Sequence, residues 1–244
     1  MFKVVRMVKK RSNLTRDQFK ERWLPQQMKA LVLPDAHVEK IVAMTFTGQS
    51  VPPGKAPPFD GITELYYESE DDFRKTSPLV IKQMAEGEGD LIDTTNEPKD
   101  QPLRYVSEEI LIMERPEGKP STPGPMTKIV RLTSRRPGTT RQQYKDYWLE
   151  QHVKATTTSQ SPLWRIVATL FTGESVPGGR EPPFDSIAEL YPKNKDKTAE
   201  GKTPPEVINR IIEDEKNFID VSGEKDWPLL RFFVEEFVLA RTAA

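Results

Sequence analysis

The sequence predicts an α+β protein made of two tandem copies of one β-α-β-β-α-β unit. Three observations carry this: the chain repeats itself, a Pro/Gly-rich stretch separates the copies, and strand-like and helix-like patterns follow the same order in each. A shift of 125 residues places Lys3-Val-Val-Arg6 on Lys128-Ile-Val-Arg131, Trp23 on Trp148, Pro57-Pro-Phe-Asp60 on Pro182-Pro-Phe-Asp185 and Glu64-Leu-Tyr66 on Glu189-Leu-Tyr191. An insertion of two residues before Thr203 moves the offset to 127, which aligns Ile92-Asp93 with Ile219-Asp220 and Glu108-Glu109 with Glu235-Glu236. Between the copies, residues 115–125 hold too much Pro and Gly for helix or strand and read as a semi-rigid linker. The expected organisation is therefore a first repeat over 1–114, a linker over 115–125 and a second repeat over 126–244.

Within each copy the elements follow from local chemistry. The Val-rich run Lys3 to Val8 reads as a first strand. Thr15 with Gln18, and Thr140 with Gln143, have the spacing of a capping box and open a helix. Phe19 and Trp23, like Tyr144 and Trp148, lie four apart and share one face of that helix, which must cover the sheet. Lys40 to Thr47 and Gly61 to Tyr67 are β-branched or aromatic runs, giving the second and third strands. Ser77-Pro78 and Thr203-Pro204 each put a capping residue before proline and are read as the start of the second helix. Tyr105 to Met113 and Phe232 to Leu239 supply the fourth strand. This order is the ferredoxin-like unit, an antiparallel sheet with both helices on one face. The other face needs covering as well, since Ile110 and Ile112 alternate with Leu111 and Met113, and the tethered twin is the available cover.

Composition narrows the function. The 36 Lys plus Arg against 37 Asp plus Glu leave a net charge of −1, so neither nucleic acid nor an anionic membrane is an expected partner, and a small molecule is. The polar start MFKVVRMVKKRS does not resemble a signal-peptide core, which sets the expectation of a cytoplasmic location. With no cysteine there is no thiolate chemistry, and the two histidines, His37 and His152, lack metal-ligand spacing, so no metal site is expected. No phosphate loop or Gly-x-Ser-x-Gly elbow is present, and no cofactor is called for.

The basic turn and first helix of the second copy, Arg135-Arg-Pro-Gly-Thr-Thr-Arg-Gln-Gln-Tyr-Lys-Asp-Tyr-Trp148 followed by Leu-Glu-Gln-His152, resemble the EthD family of the dimeric α+β-barrel superfamily. The first copy shares Lys10-Arg11, Thr15, Phe19 and Trp23 but has Arg22 and Gln27 in place of the Tyr and His. Phe-Asp-Gly-Ile-x-Glu-Leu at 59–65, repeated at 184–190, is similar to the family's third strand. The resemblance implies two repeats packed sheet to sheet as an intramolecular version of a two-subunit barrel, closed as a monomer, with further self-association left open. It also implies relatives that include cyclases, isomerases, dehydratases, haem-degrading oxygenases and proteins without demonstrated activity.

His152 is the leading catalytic candidate. Four residues past Trp148, it falls on the sheet-facing side of the helix, where an imidazole can act as general acid or base; its plain structural role would be a satisfied core histidine. Gln27 at the matching place can hydrogen-bond but cannot exchange protons, so only the second copy is expected to be active. Tyr147 is a second catalytic candidate through its hydroxyl. Arg131 with Glu189, the twins of Arg6 with Glu64, are expected to pair across neighbouring strands, with Glu235 or Glu108 on the other side, or else to anchor a ligand. Trp148, Tyr144, Tyr191, Phe184, Trp23 and Gln27 complete the candidate binding set, the aromatics serving as core or as ligand cage. The Pro-rich loops Gly48 to Phe59 and Gly173 to Phe184 are long enough to cover an entrance. Three readings of function result. The first is a cofactor-free lyase, isomerase or cyclase acting on an aromatic or polyketide-like molecule. The second is a non-catalytic small-molecule-binding accessory protein. The third is haem handling with His152 or His37 as axial ligand.

Overall fold

In the computed structural model, which describes residues 1–94, 102–115, 125–158, 161–176, 183–193, 204–222 and 230–240, each half contributes four strands to one closed, eight-stranded antiparallel barrel with helices outside it. The first half runs β1 (Phe2–Val8), α1 (Arg16–Leu31), β2 (Val38–Val51), β3 (Gly61–Tyr67), α2 (Glu70–Glu88) and β4 (Leu103–Glu114). The second runs β5 (Met126–Thr133), α3 (Arg141–Tyr147), a π-helical turn (Trp148–His152), α4 (Val153–Thr156), β6 (Leu163–Ser175), β7 (Ser186–Pro192), α5 (Pro205–Glu215) and β8 (Arg231–Ala240). Linker residues 116–124 and Thr203 lie outside the described residues. Among the described residues no helix is long and apolar enough to cross a membrane.

Capping explains where the helices begin. Thr15 accepts from Gln18 N while the Gln18 side chain accepts from Thr15 N, and Thr140 with Gln143 does the same. The second helix of the first half starts earlier than Ser77-Pro78 suggests. Ser69 accepts from Asp72 N, and Glu70, Asp71 and Asp72 place negative charge at the positive end of the helix. Pro78 then lies inside α2, where it removes one N–H donor without ending the helix.

The strand order around the barrel is β1-β3-β2-β8-β5-β7-β6-β4. Each half thus forms a sheet with its fourth and second strands at the edges, and those edges pair across the halves as β4 with β6 and β2 with β8. The halves meet by edge hydrogen bonding as well as by sharing an interior. Leu111, expected under cover, is 54 % exposed where β4 runs past the closed part of the barrel.

Period-two alternation sorts side chains between the barrel interior and the helix layer. Val5, Met44, Phe46, Phe171 and Phe232 point inward and form one apolar cluster, which Phe59 and Phe184 join edge to face, their ring centroids 6.1 Å apart. The interior also holds a buried ionic group. Lys3 Nζ lies 2.8 Å from Glu64 and 2.7 Å from Glu109, Lys128 Nζ lies 2.5 Å from Glu189 and also pairs with Glu236, and Lys3 reaches across to Thr169 at 2.8 Å. Tyr66 and Tyr191 donate to the same carboxylates. The expected pairing of Arg6 with Glu64, and of Arg131 with Glu189, does not occur. Val5 stands opposite Glu64 and Val130 opposite Glu189, so each arginine, one residue along, faces the helices instead.

Two lysines cannot neutralise four carboxyls. Burial and the neighbouring Glu189 push Glu64 up to about 7, while Lys128 and Lys3 outweigh burial and hold Glu189 below its ordinary value. Below about pH 7 Glu64 therefore holds a proton that Glu189 has already lost. A raised folded pKa contributes stability that is full below the ordinary 4.5 and is lost as pH rises through about 7. Glu64→Gln fixes the neutral form, so its urea-denaturation midpoint should fall less than that of the unmodified protein between about pH 5 and 9. Equal pH slopes would place the proton elsewhere.

Candidate functional site

On the helix side of the second half, α3, the π-turn, α4 and α5 cover β5, β6 and β7 but leave a cavity of about 160 Å³. An apolar cavity of roughly 150 Å³ holds a benzene molecule, so this one matches a single ring with substituents directed to its mouth. Ile129, Leu163, Ile166, Leu190, Val207 and Ile211 make most of its wall. Trp148, His152, Arg131, Glu215, Thr156 and Arg231 supply the polar and aromatic groups.

His152 is placed by local helix geometry. The Val153 N–H reaches back five residues to Trp148 O, widening the helix into a π-turn that carries both Trp148 and His152. His152 is 6 % exposed; its ring packs on Phe218 with centroids 4.9 Å apart, and its Nδ1 lies 2.7 Å from Asp214 Oδ2 at the end of α5. The other oxygen of Asp214 accepts from the Tyr147 hydroxyl at 3.0 Å, and Asn217 Nδ2 donates to that hydroxyl at 3.0 Å. The carboxylate selects the tautomer with the proton on Nδ1, which leaves the Nε2 lone pair as the basic site. Burial lowers the His152 pKa below its ordinary value, partly opposed by Asp214 and Glu215. The ring is thus neutral at neutral pH.

The arginine of the first strand meets a carboxylate from the second helix in both halves. Arg131 donates through NH1 and, at 2.9 Å, through NH2 to Glu215; Arg6 does the same to Glu88. Burial raises the Glu215 pKa, but the Arg131 guanidinium outweighs it and holds the carboxyl below its ordinary value. In the first half the space corresponding to the cavity is filled. Gln27 Nε2 donates to Glu88 Oε1 at 2.8 Å, Trp23 Nε1 donates to the same oxygen at 2.9 Å, and Thr63 Oγ1 donates to Gln27 Oε1 at 2.9 Å. Leu31, fully buried in the first-half core, has Thr156 as its counterpart on the cavity wall. At Gly61 an added Cβ would come within 2.9 Å of Trp23; the second half has Ser186 there, and its hydroxyl bonds Tyr144 and Thr133.

The structure therefore separates the sequence candidates. His152, Trp148 and Arg131 surround the cavity, and Tyr147 reaches it through Asp214. Tyr144 turns its hydroxyl to Thr133 and Ser186. Glu189 and Tyr191 face the barrel interior, because their neighbours Ala188 and Leu190 line the cavity and successive strand residues point to opposite faces. Phe184 belongs to the interior cluster, and Trp23 and Gln27 to the filled half. His37 is an exposed residue at φ 50° with Nδ1 3.6 Å from Asp72. Among the described residues of the two Pro-rich loops, none lines the cavity; residues 177–182 lie outside the description.

Asp214, Glu215 and Arg231 were missed from sequence. A signal for them existed: at the offset of 127, Glu215 repeats Glu88 and Arg231 repeats Arg104, whereas Asp214 replaces Gly87 just as His152 replaces Gln27.

Glu88 tests how tightly the filled half is built. Glu88→Ala would leave Arg6, 2 % exposed, and the Trp23 and Gln27 donors without their acceptor. Urea denaturation should show a loss of about 3–5 kcal/mol. A loss under about 1 kcal/mol would mean that the cluster reorganises or takes up water.

Residues 136–222 match the family model described as the EthD domain, a span that contains Tyr147, Trp148, His152, Asp214 and Glu215. No curated protein matches the sequence. Among solved structures, a protein from Lactobacillus acidophilus NCFM, provisionally named a monooxygenase, is 9% identical over 97% of this chain and 92% of its own, with a TM-score of 0.48. A mutant chlorite dismutase from Candidatus Nitrospira defluvii is 9% identical over 97% of this chain and 91% of its own, with a TM-score of 0.43.

Proposed function

We propose, from the EthD domain that the second half carries, that this protein performs cofactor-free acid–base chemistry on a small aromatic or polyketide-like molecule bound beneath residues 148–156. The architecture we read as two ferredoxin-like repeats, 1–114 and 126–244, fused into the internal counterpart of a two-subunit barrel. The observation that carries the functional reading is His152 on the wall of an apolar cavity with Asp214 behind it at 2.7 Å.

The chemistry follows from the tautomer. Neutral Nε2 takes a proton from a C–H made acidic by a neighbouring carbonyl; the C–H electron pair passes into the enolate, and the imidazolium is stabilised by Asp214. Returning that proton to another carbon completes an isomerisation. Delivering it instead to a β-hydroxyl, which leaves as water, completes a dehydration. Neither route needs a redox partner. Tyr147 holds the second oxygen of Asp214 and so positions the base rather than touching substrate. The first half lacks both members of the pair, with Gln27 and Gly87 in their places.

Deuterium incorporation from D₂O into phenylacetone, a benzyl ketone whose CH₂ between ring and carbonyl is acidic, followed by NMR, tests this reading. Burial lowers the His152 pKa, so the basic form prevails as pH rises and the rate should climb to a plateau with its midpoint below the ordinary histidine value. His152→Gln should fold, since Gln27 occupies the same place in the first half, and should lose about 10²–10⁴-fold in rate. Asp214→Asn should slow exchange and shift the rise to lower pH, because the carboxylate that supports the imidazolium is gone. Exchange as fast in His152→Gln as in the unmodified protein would remove His152 from the mechanism. No acceleration over buffer, together with a raised unfolding midpoint in the presence of ligand, would instead favour a binding protein without turnover.

A further inference from the structure

The two halves build one polar arrangement in two ways, and the first half, where Gln27 takes the place of the cavity, indicates what the second-half cavity accepts. In the first half Glu88 Oε1 receives three donors: Arg6 NH1 at 2.9 Å, Trp23 Nε1 at 2.9 Å and Gln27 Nε2 at 2.8 Å. In the second half Glu215, 2 % exposed, receives only Arg131 among the described residues. Trp148, 5 % exposed, has no acceptor for its indole N–H among them, and His152 Nε2 has no donor. All three side chains line the cavity. A buried carboxylate with unused lone pairs costs free energy until a donor reaches it, and the first half meets that cost with an amide of its own chain.

We propose that the second-half cavity is a binding site for a neutral hydroxylated ring, a phenol or cyclic enol, whose O–H donates to Glu215 where Gln27 donates to Glu88 in the first half. The hydroxyl oxygen can in turn accept from Trp148 Nε1, and the ring lies among Ile129, Ile166 and Leu190. Size sets the ring count, since about 160 Å³ holds one six-membered ring. Charge sets the protonation state. Arg131 directs both terminal nitrogens to Glu215, and His152 offers a lone pair, so an anionic head group seated at Glu215, where Gln27 sits in the first half, would meet a carboxylate and an acceptor, while Arg231 stands elsewhere on the wall. A ligand with a donor adds to Glu215 the hydrogen bond that Gln27 gives Glu88; one without a donor leaves Glu215 with its two from Arg131. The assignment rests on the cavity being a ligand site and adds the chemical class that it takes.

Calorimetric titration with three para-substituted toluenes tests the assignment. p-Cresol should bind at least about tenfold more tightly than 4-methylanisole, which keeps shape and loses only the donor. p-Toluate should bind more weakly than either. The double variant His152→Gln/Ala188→Thr rebuilds the Gln27–Thr63 pair in the second half. It should lose p-cresol binding while unfolding at the same or a higher urea concentration. That arrangement already exists in the first half, so a folding failure is not the expected cause of lost binding. Equal affinity for p-cresol and 4-methylanisole, tighter binding of p-toluate, or full p-cresol binding by the double variant would each overturn the assignment. Selective p-cresol binding without deuterium exchange into phenylacetone would uphold the site and remove the proton chemistry. Exchange without donor selectivity would do the reverse.

Discussion

Edge closure is the constraint on which this molecule is built. A four-stranded antiparallel sheet has two edges whose N–H and C=O groups need partners, and each half of this chain presents β4 or β8 at one edge and β2 or β6 at the other. Pairing β4 with β6 and β2 with β8 uses all four edges at once. It also fixes what the interior must contain. Residues of both halves fill one space, so Lys3 reaches Thr169 on the opposite half and the Glu189 carboxylate, with burial, pushes Glu64 up to about 7. The ionic group is satisfied only when both halves are in register, which ties the polar interior to the closed state.

The outer face of the barrel tells a different story in each half. Helix α1 runs unbroken through Pro25 and seats Trp23, Gln27 and Leu31 against the sheet, all three fully buried. Its counterpart breaks into α3, a π-turn and α4, and Thr156 takes the place of Leu31. A π-turn gives up part of the regular hydrogen-bond ladder, and such turns recur at functional sites because they redirect side chains. Here the turn carries His152, and α5 brings Asp214 to it. One half stabilises the fold with a closed polar cluster, while the other forgoes that packing and keeps a cavity with unmet donors and acceptors.

Much of this was legible from residues alone. The offset of 125 revealed the duplication, the capping boxes located two helix starts, and the exchange of Gln27 for His152 singled out the second half. The arginine readings that failed share a cause. Arg6 was assigned to Glu64 and Arg131 to Glu189 because those strands are neighbours, yet a single residue of register puts each arginine on the opposite face from its proposed partner. Glu189, placed in the site as the partner of Arg131, and Tyr191, placed there as a cage aromatic, turn to the barrel interior instead. The start of α2 was missed because Ser77-Pro78 looked like a cap, whereas Ser69 and the three acids after it supplied a stronger one.

By itself, then, the sequence determined the duplicated unit, its element order and the residue on which the halves differ chemically, since these depend on local propensity and on comparing one half with the other. Only the tertiary structure decided which carboxylate each cation meets, which half keeps a cavity, and that Asp214 stands behind His152. Those are contacts between residues 62 to 84 positions apart, set by register and by helices packing on a closed barrel, and no local pattern encodes them.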